Sequence, residues 1–574
     1  MISFHSIYLG FRLVETRKNE IRIDELFLLH KLVRILSKER SNNMKVTDTL
    51  VQCLENEGVE YIFGIPGKET LDFIDSLSKS KQIQFVNVRH EQGAAFMADV
   101  YGRLTNKVGV CLSTLGPGAT NLLTGISSAK LDHSPVVALT GQAALGRQHK
   151  ESHQYMDIIK MVEPTTKWRV QIKDSQTLSE IIRKAFKVAQ MEKPGPVVVE
   201  LPEDLAAQIV PIKPISPTSM PVSIPIMESI QAANTLIKQY ERPFVIIGNG
   251  VVRQQAVDEL HQFIERLQSP VTHSYMAKGV LSKDHPKNFF TFGFNEKDEV
   301  LPGLKEADLL IVMGFDFVEK LPKEWNTEKT PILHIDTLPA EIDEYYPVEV
   351  ELVGDIKQTL RVFNQLDIPS KPWMPSGNLQ KQIKQSYHIE KKEIDTNLLP
   401  LTIENILYSI DKLSSEETIV ISDVGAHKVS IARTYQPKNA NKFIISNGLA
   451  SMGIALPGSI GAKLACPNDP VICITGDGGA LMNFAEIETA KRLGLSFIII
   501  VLNDSTLKIE QEMMNKKFGK SYGVTFTNPD FVQLATSFGI KGERANSLAE
   551  FENIMKSALK NSDEIVLIDV FLKS

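Results

Sequence analysis

Cysteine is scarce in this chain: four occur in 574 residues, at Cys53, Cys111, Cys466 and Cys473. None forms a CxxC pair or a metal-ligand spacing, which argues against a zinc site or a thiol-redox centre. Three lie in apolar stretches, so buried reduced thiols and a cytoplasmic protein are expected. A basic field is missing too. The formal net charge is −6, which excludes nucleic acid as the main partner. No apolar run reaches the length of a membrane span, so no membrane partner is expected. What remains is ordinary globular composition, 43% hydrophobic and 23% charged, over a length that predicts about three domains.

Residues 1–43 stand apart as an N-terminal extension. They mix charges with apolar residues and lack the unbroken apolar core and cleavage site of a signal peptide. Met44 is one candidate start of the native protein, and a short regulatory or packing helix is the other reading. Three α/β blocks follow, at 44–211, 226–367 and 400–574. In the first, strand-like runs at 61–65, 85–89, 109–113, 136–140 and 197–201 alternate with helical patterns, as a doubly wound sheet requires. The Pro-rich stretch 211–225 reads as an extended linker, and the polar, Pro-containing stretch 368–400 as a second. The expected fold is therefore α/β, three doubly wound parallel-sheet domains, with the first and third built alike.

The third block carries the most informative pair of residues. Val471-Ile472-Cys473-Ile474-Thr475 reads as a buried strand ending in Gly476-Asp477-Gly478-Gly479. One helical pattern runs through Leu481, Phe484, Ile487 and Ala490, and 495–502 makes a second strand ending in Asn503-Asp504-Ser505. Parallel neighbours joined by a crossover helix bring both carboxylates to one carboxyl edge, where α/β proteins bind ligands. The glycines let the backbone approach a phosphate, and two hard oxygen donors suit Mg²⁺ held partly by phosphates. A lone Gly-Asp-Gly usually marks a tight turn. With the strand context, the terminal Asn-Asp and a separation of 27 positions, the pattern resembles the thiamine-diphosphate-binding motif.

Glu91 ends a strand-like run and opens a helical one. Such a residue is ordinarily a helix N-terminal charge favoured by the dipole. Thiamine chemistry, however, needs one buried carboxylate beside N1′ of the aminopyrimidine, and Ala95, Phe96 and Met97 offer the apolar surround of a proton-sharing partner.

Phe63-Gly64-Ile65-Pro66-Gly67, Arg89-His90-Glu91-Gln92, Tyr101-Gly102-Arg103 and Gly116-Pro117-Gly118-Ala119-Thr120-Asn121 resemble the pyrimidine-binding domain of acetolactate synthases. Asn447-Gly448, Ser451-Met452-Gly453 and Leu456-Pro457 resemble their diphosphate-binding domain. In the middle block, Gly314 to Glu319, Lys323 to Asn326 and His334-Ile335-Asp336 resemble the flavin-free catabolic branch, so FAD is not expected. The resemblance implies a large (catalytic) subunit that decarboxylates pyruvate and adds the two-carbon unit to a second 2-oxo acid, giving 2-acetolactate. It further implies thiamine diphosphate, Mg²⁺ and a homodimer or homotetramer whose cofactor bridges two subunits. A regulatory small subunit is compatible but not indicated.

Carried over by position, Glu91 would activate the cofactor, and Gln154 with His153 would orient the 2-oxo acid carboxylate. Gly425, Ala426 and His427 would lie near the diphosphate, and Met452 would bend the cofactor. Asp477, Asp504 and the Thr506 carbonyl would hold the metal, with Gly476, Gly478, Gly479 and Leu507 completing the cofactor set. Plainer readings stand beside these: His427 as an exposed helix-start residue, Met452 as core filler, and 147–152 as a solvated loop. Two departures bear on the acceptor substrate. Glu510 stands where biosynthetic members carry Val, with no Trp after it, and Lys68-Glu69 differs in order from the catabolic branch. The alternatives are another thiamine-diphosphate decarboxylase or carboligase, a flavin oxidoreductase resembling pyruvate oxidase, and a silent regulatory homologue. Intact Glu91, Asp477 and Asp504 count against the last.

Overall fold

The computed structural model describes residues 43–293, 298–389, 401–561 and 563–572; the extension at 1–42 lies outside them. Runs of β-branched residues such as Val136–Gln142 and Val471–Gly476 are buried on both faces for nearly their whole length, as strands of helix-covered parallel sheets must be. In the first domain β1 (Met44–Lys45) pairs antiparallel with β8 (Ile209–Val210). Between them lie β2 (Tyr61–Gly64), β3 (Gln84–Asn87), β4 (Gly109–Ser113), β5 (Val136–Gln142), β6 (Trp168–Gln171) and β7 (Val197–Pro202). These six form a parallel sheet in the order β3-β2-β4-β5-β7-β6. The central sheet contains β9 (Pro243–Ile247), β10 (Val271–His273), β11 (Asn288–Thr291), β12 (Leu309–Met313), β13 (Ile332–Asp336) and β14 (Val348–Val353), ordered β11-β10-β9-β12-β13-β14. The third contains β15 (Ile419–Ser422), β16 (Phe443–Ile445), β17 (Val471–Gly476), β18 (Ile498–Asn503), β19 (Lys541–Ala545) and β20 (Val566–Phe571), ordered β16-β15-β17-β18-β20-β19. Counted from its own first strand, the first sheet and the third share one topology, and the central sheet has another.

Three details depart from the sequence expectation. The pattern after Gly-Asp-Gly is two helices, Asp477–Met482 and Glu486–Arg492, parted where the backbone leaves the helical region at Asn483 (φ −130°), whose side-chain amide donates to the Gly453 carbonyl (2.7 Å). The stretch 368–389 is not a free linker. It carries a helix, Leu379–Ser386, whose Leu379 and Ile383 are buried with Tyr387 and Ile389 in the central core, while 390–400 lies outside the described residues. The edge strand β6 escaped the sequence reading because Trp168-Arg169-Val170-Gln171 is half polar and half buried. The 211–226 stretch contains neither helix nor strand, in keeping with an extended connection.

The first and third domains share one hydrophobic core, in which helix Glu91–Thr105 packs on helix Ala455–Ala465. A side chain at Gly461 would lie 2.4 Å from the Met97 carbonyl oxygen, so glycine is what allows the backbones to approach. Buried Arg103 forks onto Asp99, reaches Asp132 (2.6 Å) and donates to the Ile445 carbonyl of the third domain (3.0 Å). Asp132 accepts in turn from the Asn447 and Gly448 amides (3.1 and 2.7 Å). Cys53, Cys111 and Cys473 are buried and Cys466 half-buried, all four free. No helix among the described residues is long and apolar enough to cross a membrane.

Candidate active site

The strand ends β17 and β18 are tied together by Asp477. Its Oδ2 accepts from the backbone N–H of Ser505 (2.6 Å) and of Asp504 (3.2 Å), and its Oδ1 from the N–H of Gly478 (2.8 Å). Parallel register between Gly476 and Leu502 makes this possible, since it sets Asp477 and Asp504 side by side at the carboxyl edge. Burial and then the charge of Asp477 push the Asp504 carboxyl above the usual carboxylate range. That is the electrostatic situation a divalent cation relieves. Thr506 forms an isolated antiparallel bridge with Thr525, flanked by hydrogen bonds from the Leu507 amide to the Val524 carbonyl and from the Phe526 amide to the Ser505 carbonyl. The N–H and C=O of Thr506 itself therefore face the other way, and its N–H donates to Asp504 Oδ1 (3.1 Å). The third oxygen expected at the metal is thus on the Asp504 side of the loop.

Above this edge the backbone leaves a cradle. A side chain at Gly478 would meet Met452 Cε at 3.3 Å, Phe526 Cζ at 3.5 Å and Leu507 Cδ2 at 3.8 Å. Met452 is half-buried there, so it lines the cradle and is not core filler. Gly453, at φ +87°, turns the chain behind it, held by Asn483 and by its own N–H donating to Asp423 Oδ1 (2.8 Å). His427 is buried, not exposed. Its ring packs beside Gly425 and Gly476, its Nε2 has no hydrogen-bond partner among the described residues, and burial reinforced by the Lys428 charge pushes its pKa down to about 4. A neutral imidazole with an open nitrogen beside Gly-Asp-Gly, a glycine cradle and paired carboxylates fit a metal-held diphosphate.

Two residues here went unnoticed in the sequence. Asn528 donates to Asp477 Oδ2 (2.7 Å), Asn503 Oδ1 (2.9 Å) and Ser505 Oγ (3.2 Å), and nothing in its Asn-Pro turn signals this. Asp423 is fully buried at the end of β15, accepting from Val424 N–H, Gly453 N–H and Thr475 Oγ1, and burial pushes its carboxyl up to about 6. Its place just after an apolar strand, like that of Asp477, was the available signal.

Glu91 is buried in the first turn of helix Glu91–Thr105, with His90 as the N-cap. Ala95, Phe96 and Met97 belong to the same buried helix, but the polar neighbour of the carboxylate is Asn121, whose Nδ2 donates to Oε2 (2.9 Å). Oε1 lies 3.2 Å from where a Gly118 side chain would begin. Gly116, at φ +56°, would press a side chain to 2.9 Å from the Gln154 carbonyl oxygen, so the glycine loop and the Gln154 loop abut. Glu91, Gly116 to Asn121 and Gln154 thus form one cluster; His153 is exposed beside it. The contacts of Glu91 fall within the first domain and those of Asp477 and Asp504 within the third. Two half-sites result. The domains do meet, through Glu486, whose Oε1 accepts from the Arg89 and His90 amides (3.0 Å each).

Comparison with known proteins bears on the same segments. Family models match residues 44–161 (thiamine pyrophosphate enzyme, N-terminal TPP binding domain), 230–363 (central domain) and 423–570 (C-terminal TPP binding domain). A probable acetolactate synthase large subunit of Methanococcus aeolicus is 36% identical over 550 residues, covering 92% of each chain. The acetolactate synthase of Bacillus subtilis is 32% identical over 533 residues, covering 91% of this chain and 92% of its own. The large subunit of acetolactate synthase isozyme 2 of Escherichia coli is 32% identical over 526 residues, covering 91% and 94%.

Proposed function

The chain belongs to the thiamine pyrophosphate enzyme family, and from that premise we propose that it decarboxylates pyruvate and joins the two-carbon unit to a second 2-oxo acid, giving 2-acetolactate. The observation that carries this reading is the pair Asp477–Asp504 under the Gly478 cradle, in a chain whose relatives carry the acetolactate synthase name. Thiamine diphosphate, when bound, supplies the electron sink that lets a 2-oxo acid lose carbon dioxide. Asp477, Asp504 and the Thr506 carbonyl would hold Mg²⁺, and the Gly476 to Gly479 turn with Gly425, Ala426 and His427 would take the diphosphate. Met452 and Leu507 would wall the cradle. Glu91 would hold and return a proton, while Asn121 keeps its carboxylate oriented. Gln154 and His153 would orient the substrate carboxylate.

Because the half-sites lie on different domains, the active form is read as a homodimer or larger. Exposed Leu481, Met482, Met513, Phe518 and Tyr522, on elements flanking the Asp477 loop, supply an apolar face for a second copy. The enzyme is read as flavin-free. What supports that reading is the likeness of Gly314 to Glu319, Lys323 to Asn326 and His334 to Asp336 to the flavin-free branch; the Gly250 amide donates to the Gly314 carbonyl (2.9 Å) at the switch point between β9 and β12. Asp316 pairs with Lys193 and Arg253 there (2.7 Å each). The test is product identification after incubating the pure protein with pyruvate, thiamine diphosphate and Mg²⁺. 2-Acetolactate is expected. Acetaldehyde alone would replace the carboligase reading with a decarboxylase, and a yellow protein that oxidises pyruvate would overturn both. Glu510, exposed one helical turn beyond Leu507, is the residue whose substitution should alter the choice of acceptor.

A further inference from the structure

Glu200, on β7, is 1% exposed, yet it sits beneath the loop that carries His153 and Gln154. Gln142, at the end of β5, donates from Nε2 to Glu200 Oε1 (2.7 Å) and to the Met156 carbonyl (3.0 Å), while its Oε1 accepts from the Ala143 N–H (2.8 Å). That pattern fixes the amide, since turning it over would break all three bonds. Gln171 on β6 donates to Glu200 Oε2 (2.6 Å). The other end of the loop is held separately, by Ala144 N–H to Glu203 (3.4 Å) and Leu145 N–H to Asp204 (3.1 Å). Between these anchors Gln154 stands at φ +58° against Gly116, beside the Glu91 cluster.

We propose that Glu200 is a positioning residue: through Gln142 and the Met156 carbonyl it fixes the return arm of the 143–157 loop, and so the placement of His153 and Gln154 at the 2-oxo acid site. The inference rests on the functional reading above for what that site binds. Burial pushes the Glu200 carboxyl up to about 7, against the two amide donors, and Asp157 on the loop adds to the rise. The other charged groups nearby are Glu203, Asp204 and Arg147 at the far anchor, and Glu69 beneath Gly141. A proton arriving on Glu200 is best placed on Oε2, because Gln142 is locked as a donor to Oε1 whereas Gln171 can turn over to accept it. The Gln142 bond survives but loses its charged acceptor, and such bonds are the stronger kind.

Two variants of the holoenzyme test this. Glu200→Gln mimics the protonated state: kcat/KM for pyruvate should lose an acid-side fall near neutral pH that the wild type shows. Gln142→Leu cuts the link to Met156 and should raise KM for pyruvate about tenfold, with cofactor affinity kept. Amide hydrogen exchange at 152–157, measured with thiamine diphosphate and Mg²⁺ but no substrate, should speed up in Gln142→Leu. A wild-type pH profile in Glu200→Gln overturns the proposal, as does a folded Gln142→Leu with unchanged KM and exchange. If Glu200→Gln fails to fold, Gln142→Leu decides alone. A wild type that does not consume pyruvate would sink the functional reading instead, and the exchange measurement would still decide the positioning role.

Discussion

Replacing Glu91 with Gln separates a chemical role from a structural one. Among the described residues the carboxylate makes one side-chain hydrogen bond, Oε2 from Asn121 Nδ2 at 2.9 Å. The amide oxygen of Gln can take its place, so the loss is only the margin between a charge-assisted and a neutral hydrogen bond, ~1 kcal/mol. The new NH₂ group would face Gly118, where the absence of a side chain leaves room. The melting temperature should therefore fall by only a few degrees and cofactor binding should persist. Turnover should fall by ~10²–10⁴, the usual worth of a general acid–base group, or ~3–5 kcal/mol in barrier height. The barrier effect thus exceeds the stability effect several-fold. The assay is hydrogen–deuterium exchange at C2 of the bound cofactor, followed by NMR after acid quench, beside calorimetric cofactor titration. Slow exchange with intact binding is expected. Exchange at the wild-type rate would refute the reasoning and leave Glu91 as a helix-start charge.

Asp477→Ala removes the acceptor that joins β17 to β18 and should weaken Mg²⁺ binding at least about tenfold, which calorimetry would read; unchanged affinity removes Asp477 from the metal. Asp423 has a folded-state pKa above its unfolded value, so its contribution is fully present below about pH 4 and is lost as pH rises towards 6, by ~3 kcal/mol. Asp423→Asn should lack that component, seen as a difference between the two denaturation profiles of cofactor-free protein; superimposable pH dependences would refute it. Sedimentation should show a dimer or tetramer, and Met482→Glu should shift it towards monomer with loss of activity; a fully active monomer contradicts the shared-site reading.

Much of this was legible in the chain because local signals and tertiary roles coincide. Val136–Gln142 and Val471–Gly476 are strands by composition and buried by topology, and Gly-Asp-Gly with Asn-Asp sits at the carboxyl edge of β17 and β18 as the spacing predicts. The misses have physical causes. The edge strand Trp168–Gln171 does alternate apolar and polar residues, but over four half-buried positions, too short a run to stand out from the loops around it. The helix break at Asn483 is a change of backbone conformation whose side-chain partner, the Gly453 carbonyl, lies 30 residues away. His427 looked like an exposed cap by position, and only the approach of Gly425 and Gly476 buries it. Asn528 and Gln142 act through amides whose partners are distant in sequence, so no local pattern marks them.

The geometry of the two half-sites leads to a last prediction. Glu91 and Asp477 both stand at the carboxyl edges of sheets with one shared topology, yet they belong to different domains. A hinge could in principle close one half-site on the other. The buried Arg103–Asp132 bridge, the Glu486 bonds to the Arg89 and His90 amides, and the Gly461 contact all hold the domains against such motion. On the proposed reading a second copy completes each site, and a two-fold axis then makes two equivalent sites, each with Glu91 from one protomer and Asp477 from its partner. Two inactive variants should consequently rescue each other. In a heterodimer of Glu91→Gln with Asp477→Ala, one site carries both changes and the other carries neither. Random assembly of equal amounts gives half heterodimers, hence roughly a quarter of wild-type activity. The measurement is pyruvate turnover after co-refolding or co-expression of the two chains, with each variant alone as the baseline. Activity no higher than that baseline would mean that each chain builds its site by itself, and the shared-site reading would fall.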